Sequence, residues 1–270
     1  MSLIRILFLG DIIGSPGRSS VKRYLPLFRE EYSVDMVVAN GENLAGGMGL
    51  TPDTISDLFE SGVDVVTSGN HGFDKKEGIN CFNNEPFLIR PQNYPPLAPG
   101  KGYLFWEKDE LKIGVLNLQG RVFMPAIDCP FRVGKEYSLA MKKESPVLII
   151  DFHAEATSEK VALAHYLSGT ASAVIGTHTH VQTADERLLV GSTLFISDVG
   201  MIGPLDSVIG MKKESIIRRF LTQVPERFEV ETKSPLIWES VLLVINNSGE
   251  GVSIERIRKI LEPSPEYYKE

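Results

Sequence analysis

The chain has 270 residues, with 28 Lys and Arg against 35 Asp and Glu, a formal net charge of −7, 43% hydrophobic and 23% charged residues. This excludes a disordered chain and leaves ample length for a buried core, in one large domain or two small ones. The acidic balance disfavours gripping nucleic acid through a broad basic surface, although a metal site can still supply positive charge locally to a phosphorylated substrate.

In chain order, short β-branched runs alternate with amphipathic stretches. Residues 4–9 read as a strand and not as the apolar core of a signal peptide, because Arg5 interrupts them and no small-residue cleavage site follows. A helix is predicted over 19–31 with Val21, Tyr24, Leu25 and Phe28 on one face, then a strand over 36–39. Thr51-Pro52 supplies an N-cap and a first-turn proline for a helix through Ile55, Leu58 and Phe59. Further strands are expected at 63–67 and, past a proline-rich stretch, at 113–118 and 147–150. A helix over 158–167 with Ser158 as its cap precedes strands at 173–175 and 194–196. Residues 203–234 hold one helix near 214–221 and otherwise read as a lid-like excursion. A closing hairpin, 241–245 with 252–256, turns at Asn247-Ser248-Gly249, and 262–270 read as a loose tail. The whole reads as one α/β domain over 1–270. No apolar run approaches the roughly 18 residues of a membrane helix. Two cysteines outside any C-x-x-C motif imply a reducing compartment, the cytoplasm by default.

The predicted strands end on chemistry. They run into Gly10-Asp11, Asn40-Gly41-Glu42-Asn43, Gly69-Asn70-His71, Asp151-Phe152-His153 and Gly176-Thr177-His178-Thr179-His180, and only His165 of the five histidines lies elsewhere. Ligands in open α/β sheets collect at strand C-termini. Imidazole, carboxylate and amide oxygen suit divalent metals of intermediate softness, and no cysteine joins them. Asp11, Glu42, Asn43, Asn70, His153, His178 and His180 are too many donors for one tetrahedral ion and fit two, with Glu42 best placed to bridge. His178 and His180, two apart, would share one face of an extended segment and could serve adjacent ions. Two divalent cations against Asp11 and Glu42 leave about +2, enough to attract a phosphate.

These motifs resemble those of the calcineurin-like metallophosphoesterases. Asn40-Gly41-Glu42-Asn43, the stretch from Asp151 to Lys160, the stretch from Gly176 to Asp185, Asp128-Cys129-Pro130-Phe131 and Asp198-Val199-Gly200-Met201 resemble its bacterial YmdB-like branch, over about residues 3 to 230. The resemblance implies a four-layer α/β/β/α sandwich with a dinuclear iron or manganese centre, zinc being chemically tolerable. Asp11, Asn43 and His180 would hold one metal, and Asn70, His153 and His178 the other. Glu42 would bridge, and His71 would act on substrate. The resemblance further implies a homo-oligomer that hydrolyses small nucleotide diesters, notably 2′,3′-cyclic nucleotides, or RNA ends. The His common in the first superfamily motif is replaced by Ile13, the bridging Asp by Glu42, and the Gly before the last His pair stands back at Gly176. Gly72 and Phe73 stand where a larger side chain and Trp are usual in the branch.

The expected mechanism has a water activated between the cations attacking phosphorus, with His71 protonating the leaving oxygen. A phosphomonoesterase and a regulatory nucleotide-binding protein with structural metals remain alternatives. Asp151 fits either an orienter of His153 or a turn cap. Lys212, Lys213, Arg218 and Arg219 form either a basic edge at the substrate entrance or a solvated helix face, and Met201 and Met211 read as packing residues. The segment from Gly10 to Arg18 lacks dinucleotide-loop spacing, and no G-x-S-x-G occurs.

Overall fold

The computed structural model describes residues 3–262. In chain order the elements are β1 (Leu3–Leu9), β2 (Asp11–Ile12), α1 (Gly14–Glu31), β3 (Met36–Asn40), α2 (Pro52–Glu60), β4 (Val65–Thr67), α3 (Lys76–Ile79), α4 (Cys81–Asn84), β5 (Tyr103–Lys108) and β6 (Leu111–Gln119). There follow α5 (Pro130–Met141), β7 (Val147–His153), α6 (Thr157–Leu167), β8 (Ala173–Thr177), β9 (Arg187–Leu189), β10 (Thr193–Ile196), β11 (Met201–Pro204), α7 (Lys213–Thr222), β12 (Leu236–Asn246) and β13 (Gly251–Leu261). One sheet runs β2-β11-β12-β1-β3-β4, with β13 on β12, and the other runs β5-β6-β7-β8-β10-β9.

Alternation along the strands builds the layers. Ile4, Ile6 and Phe8 of β1 and Met36 and Val38 of β3 face Ile113, Val115, Val147, Ile149 and Ile175 of the other sheet, filling the space between sheets. The intervening residues Leu7, Leu9, Val37 and Ala39 turn outward onto Val21, Leu25 and Phe28 of α1 and Ile55 and Leu58 of α2. On the far side Leu148, Ile150 and Phe152 meet Val133 of α5 and Leu163 and Leu167 of α6. With both faces covered, the parallel strands read as continuous apolar runs. This is the four-layer α/β/β/α sandwich.

Several local expectations shift. The first helix starts at Gly14, not 19, because Pro16 falls in the first turn, where no backbone N–H is required. Ser158 lies inside α6, whose N-cap is Ala156 without a side-chain bond. Thr51 does cap α2, in a reciprocal pair with Thr54. The hairpin turns at Gly249, as its composition suggests, but its strands are 11 residues each. Strand β12, which begins five residues before the expected 241, carries Glu239, buried against Arg258 of β13. The strand β5 and helix α5 went unread, the former beside the proline-rich stretch, the latter behind Pro130. Most of the expected tail, 263–270, lies outside the described residues. Among the described residues no helix is long and apolar enough to cross a membrane.

Candidate metal centre

The parallel strands β1, β3, β4, β7 and β8 point their C-terminal ends to one edge of the sandwich, where the two sheets' polar residues meet. The pairing β7 with β8 sets His153 beside Thr177, so the residues just past β8 fall next to the end of β7. Between the sheets, Asn40 at the end of β3 sends its amide Nδ2 to Asp151 Oδ2 at 3.3 Å and lies as close to His153 Nδ1.

All seven candidate donors come together here. His153 Nε2 lies 3.1 Å from Glu42 Oε1, 3.1 Å from Asn70 Oδ1 and 3.0 Å from His178 Nδ1. Asn43 Nδ2 lies 3.2 Å from His180 Nε2, 3.5 Å from Asp11 Oδ1 and 3.4 Å from Glu42 Oε1. His180 Nε2 is 3.6 Å from Asp11 Oδ1. Glu42 thus touches both groups, and Glu42, His153 and His178 form a compact three-donor cluster.

The far nitrogen of each ring shows which atom faces the centre. Thr177 Oγ1 donates to Asp151 Oδ1 at 2.8 Å and therefore accepts from His153 Nδ1 at 2.9 Å. Glu155 Oε2 takes His178 Nε2 at 3.2 Å, and the Ile209 carbonyl takes His180 Nδ1 at 3.0 Å. With those protons placed outward, each ring in its neutral form aims an unprotonated nitrogen inward. Lone pairs crowding a carboxylate and an amide oxygen at about hydrogen-bond distance repel unless a positive charge lies among them. The donor set fits a divalent cation of intermediate softness, and turning the Asn43 amide would present its oxygen. Gly69 completes the cradle, since a Cβ there would overlap the His153 ring and the Glu42 carboxylate.

Electrostatics carries the same message. Burial opposes the charge on Asp11, but the hydrogen bond and charge of His180, helped by His153, bring it down to about 2. Burial likewise opposes Glu42, which His153 nonetheless holds below the usual carboxylate range. Burial opposes protonation of His180 and His153, yet Asp11 pushes the first up to about 9, and Glu42 raises the second. Burial and the His153 charge together drop His178 to about 3, so it stays neutral. Two buried carboxylates thus draw two positive charges, which the protein supplies as imidazolium protons and a bound cation would replace.

His178 and His180 do not share an extended strand face. Strand β8 stops at Thr177, and the two residues take left-handed backbone angles, φ 106° and 63°. Such angles cost of order 1–3 kcal/mol each and persist where neighbours over-determine them. Asp11 Oδ2 accepts the His178 N–H at 3.2 Å, and Asp198 Oδ2 accepts the Thr179 N–H at 3.0 Å. Asp198 is itself held by Lys160 in a buried ion pair of 2.7 Å. The turn sends the His178 ring to His153 and the His180 ring to Asn43 and Asp11.

His71 stands at the edge of the cluster. Its backbone N–H donates to Glu42 Oε2 at 2.9 Å and its Nδ1 meets Asp74 Oδ2 at 2.7 Å, leaving Nε2 for a ligand. Asp151 is an orienter and not a turn cap: it is fully buried, burial pushes it up to about 7, and its partners Thr177 and Asn40 both reach His153. Lys212, Lys213 and Arg218 pair with Glu229, Asp206 and Glu226 on the surface, a solvated helix face. Met201 packs with Ile13 and Ile237, while Met211 lines the cleft above the cluster. Asn40, Asp74, Glu155, Lys160, Asp198 and the Ile209 carbonyl also build the site, and none is among the candidate site residues of the sequence. Asn40 and Glu155 stand within three residues of candidate donors and Asp74 three after His71; Lys160 and Asp198 fall in motifs that carry the family resemblance, and nothing local marks the Ile209 carbonyl.

A donor cluster at the strand C-termini of an α/β/β/α sandwich, opening into a cleft of about 640 Å³, defines a metallophosphoesterase-like protein. The profile of the family described as YmdB-like protein matches residues 7–257, and the chain belongs to that family. It is 47% identical over 254 residues to a Bacillus subtilis protein named 2′,3′-cyclic-nucleotide 2′-phosphodiesterase, covering 94% of this chain and 96% of that one. Two solved structures superpose along nearly all of it. A hypothetical protein from Thermus thermophilus has a TM-score of 0.90 at 40% identity, covering 96% of this chain and 100% of the other. A Mycoplasma pneumoniae protein described as a novel phosphatase has 0.91 at 36% identity, covering 100% and 98%.

Proposed function

We propose that this protein is a metal-dependent phosphodiesterase that hydrolyses 2′,3′-cyclic nucleotides. In this reading two divalent ions, iron or manganese, would be held by Asp11, Asn43 and His180 and by Asn70, His153 and His178, with Glu42 available to both. The observation that carries it is the convergence of three imidazole nitrogens on the buried Glu42 and Asp11, in a chain 47% identical to the Bacillus subtilis protein. When bound, such cations activate water and neutralise charge on phosphoryl oxygens.

The chain's own residues do the rest. Thr177, Glu155 and the Ile209 carbonyl fix the three rings, so the donors need no reorganisation when substrate arrives. Asp74 holds His71 with Nε2 toward the cleft, where it gives a proton to the leaving ribose oxygen, a transfer typically worth about 10²–10⁴-fold. The His71 N–H on Glu42 ties this acid to the shared carboxylate. A homo-oligomer belongs to the same reading, and light scattering would detect it.

The test is metal analysis of protein purified without added metal, paired with turnover of 2′,3′-cyclic nucleotides against p-nitrophenyl phosphate. Diester hydrolysis with near two equivalents of iron or manganese is the expected result. Faster monoester cleavage would make it a phosphomonoesterase, and negligible hydrolysis with metal bound would leave a regulatory binder.

A further inference from the structure

The cleft has two unlike walls. Opposite the donors stand residues of the excursion between β11 and β12, among them Ile209, Met211, Ile216, Arg219, Phe220 and Phe228. Ile216 is buried and anchors α7, but Phe220, which lines the same cleft, leaves 75% of its surface open. The neighbouring cation is equally unusual. Whereas Lys212, Lys213 and Arg218 face carboxylates, the Arg219 guanidinium lies over the Phe228 ring, 5.1 Å from its centroid. The substrate space thus holds a largely exposed phenyl ring, Phe220, and a guanidinium, Arg219, that rests over a second ring. Unpaired nucleobases stack on both kinds of surface. The volume, about 640 Å³, is in the range of pockets that enclose a small ligand.

We infer that this wall is the base subsite: with the phosphate on the donor cluster, the nucleobase of the substrate stacks on Phe220 with Arg219 alongside. The inference rests on the phosphodiesterase reading for its phosphate end, and on Phe220, Arg219 and Phe228 for its base end. Apart from Arg219, the named side chains of this wall are apolar and none reads a base edge. Discrimination among bases is therefore shallow and follows stacking area, purines before pyrimidines.

The test compares full-length, metal-loaded protein with Phe220→Ala and Phe220→Tyr. Substrates are adenosine 2′,3′-cyclic phosphate and methyl riboside 2′,3′-cyclic phosphate, which lacks the base. Phe220→Ala should lower the ratio of kcat/KM for the first over the second by about ten-fold, through KM, and Phe220→Tyr should restore it. Saturation-transfer NMR with adenosine alone should show base-proton signals that Phe220→Ala abolishes. An unchanged ratio with persisting adenosine signals would overturn the subsite. So would a change in oligomeric mass in Phe220→Ala, which would place the ring between copies of the chain. If unaltered protein hydrolyses neither diester, the phosphodiesterase reading fails, while the adenosine signals still judge the subsite.

Discussion

On the floor of the cleft Asp11, Glu42 and His153 are at most 1% exposed and each is fixed by several partners, whereas on the facing wall Ile209 is 48% and Phe220 75% exposed. The floor is built on strand ends of two sheets, and the wall on one long excursion. Positioning charge demands the first arrangement, since an ångström of misplacement weakens electrostatic stabilisation steeply. Accepting a flat apolar group tolerates the second. If that division is right, damage to the floor should abolish chemistry, and damage to the wall should only loosen binding.

The largest expected effect is therefore Glu42→Ala, which removes the donor common to both groups: metal content and turnover should both fall to background, as elemental analysis and a diester assay would show. His71→Ala should lower kcat by about 10²–10⁴-fold with metal content retained. Loss of metal there would move His71 into the donor set. Lys160→Met leaves Asp198 charged and buried beneath the His178–His180 turn. It should cost about 3–5 kcal/mol in urea unfolding and weaken cation affinity about 10–100-fold. An intact affinity would mean the turn needs no such support.

The most graded effect is on pH. His180 rises in the protein alone from 6.5 to about 9, so its contribution to stability is complete below pH 6.5 and disappears as pH rises through about 9. A cation bound at Nε2 must expel that proton. Affinity should then climb about ten-fold per pH unit between about 6.5 and 9 and level off above. Calorimetry in buffers of different ionisation enthalpy should count about one proton released from this ring. Proton-independent binding would remove His180 from the donors.

Much of the floor was legible because its donors are side chains at the ends of apolar runs. Gly10-Asp11, Asn40 to Asn43 and Asp151 to His153 each announce a strand stopping at chemistry. What escaped was held by other means. The ion pair of Lys160 with Asp198 joins residues 38 apart. The left-handed backbone at His178 and His180 has no compositional mark, since neither is glycine. Strand β5 escaped because an edge strand buries only alternate residues, here Leu104 and Trp106.

The Ile209 carbonyl that receives His180 Nδ1 has a consequence for how such chains diverge. A peptide oxygen is indifferent to the side chain it follows, so the exposed Ile209 can be exchanged to suit new ligands without disturbing the imidazole, whereas Gly210, at φ 98° and pressed against Ile13, cannot. A one-residue insertion or deletion between β11 and that carbonyl is another matter, because it would slide the acceptor away. Relatives that retune the cleft should vary there in spelling but not in length.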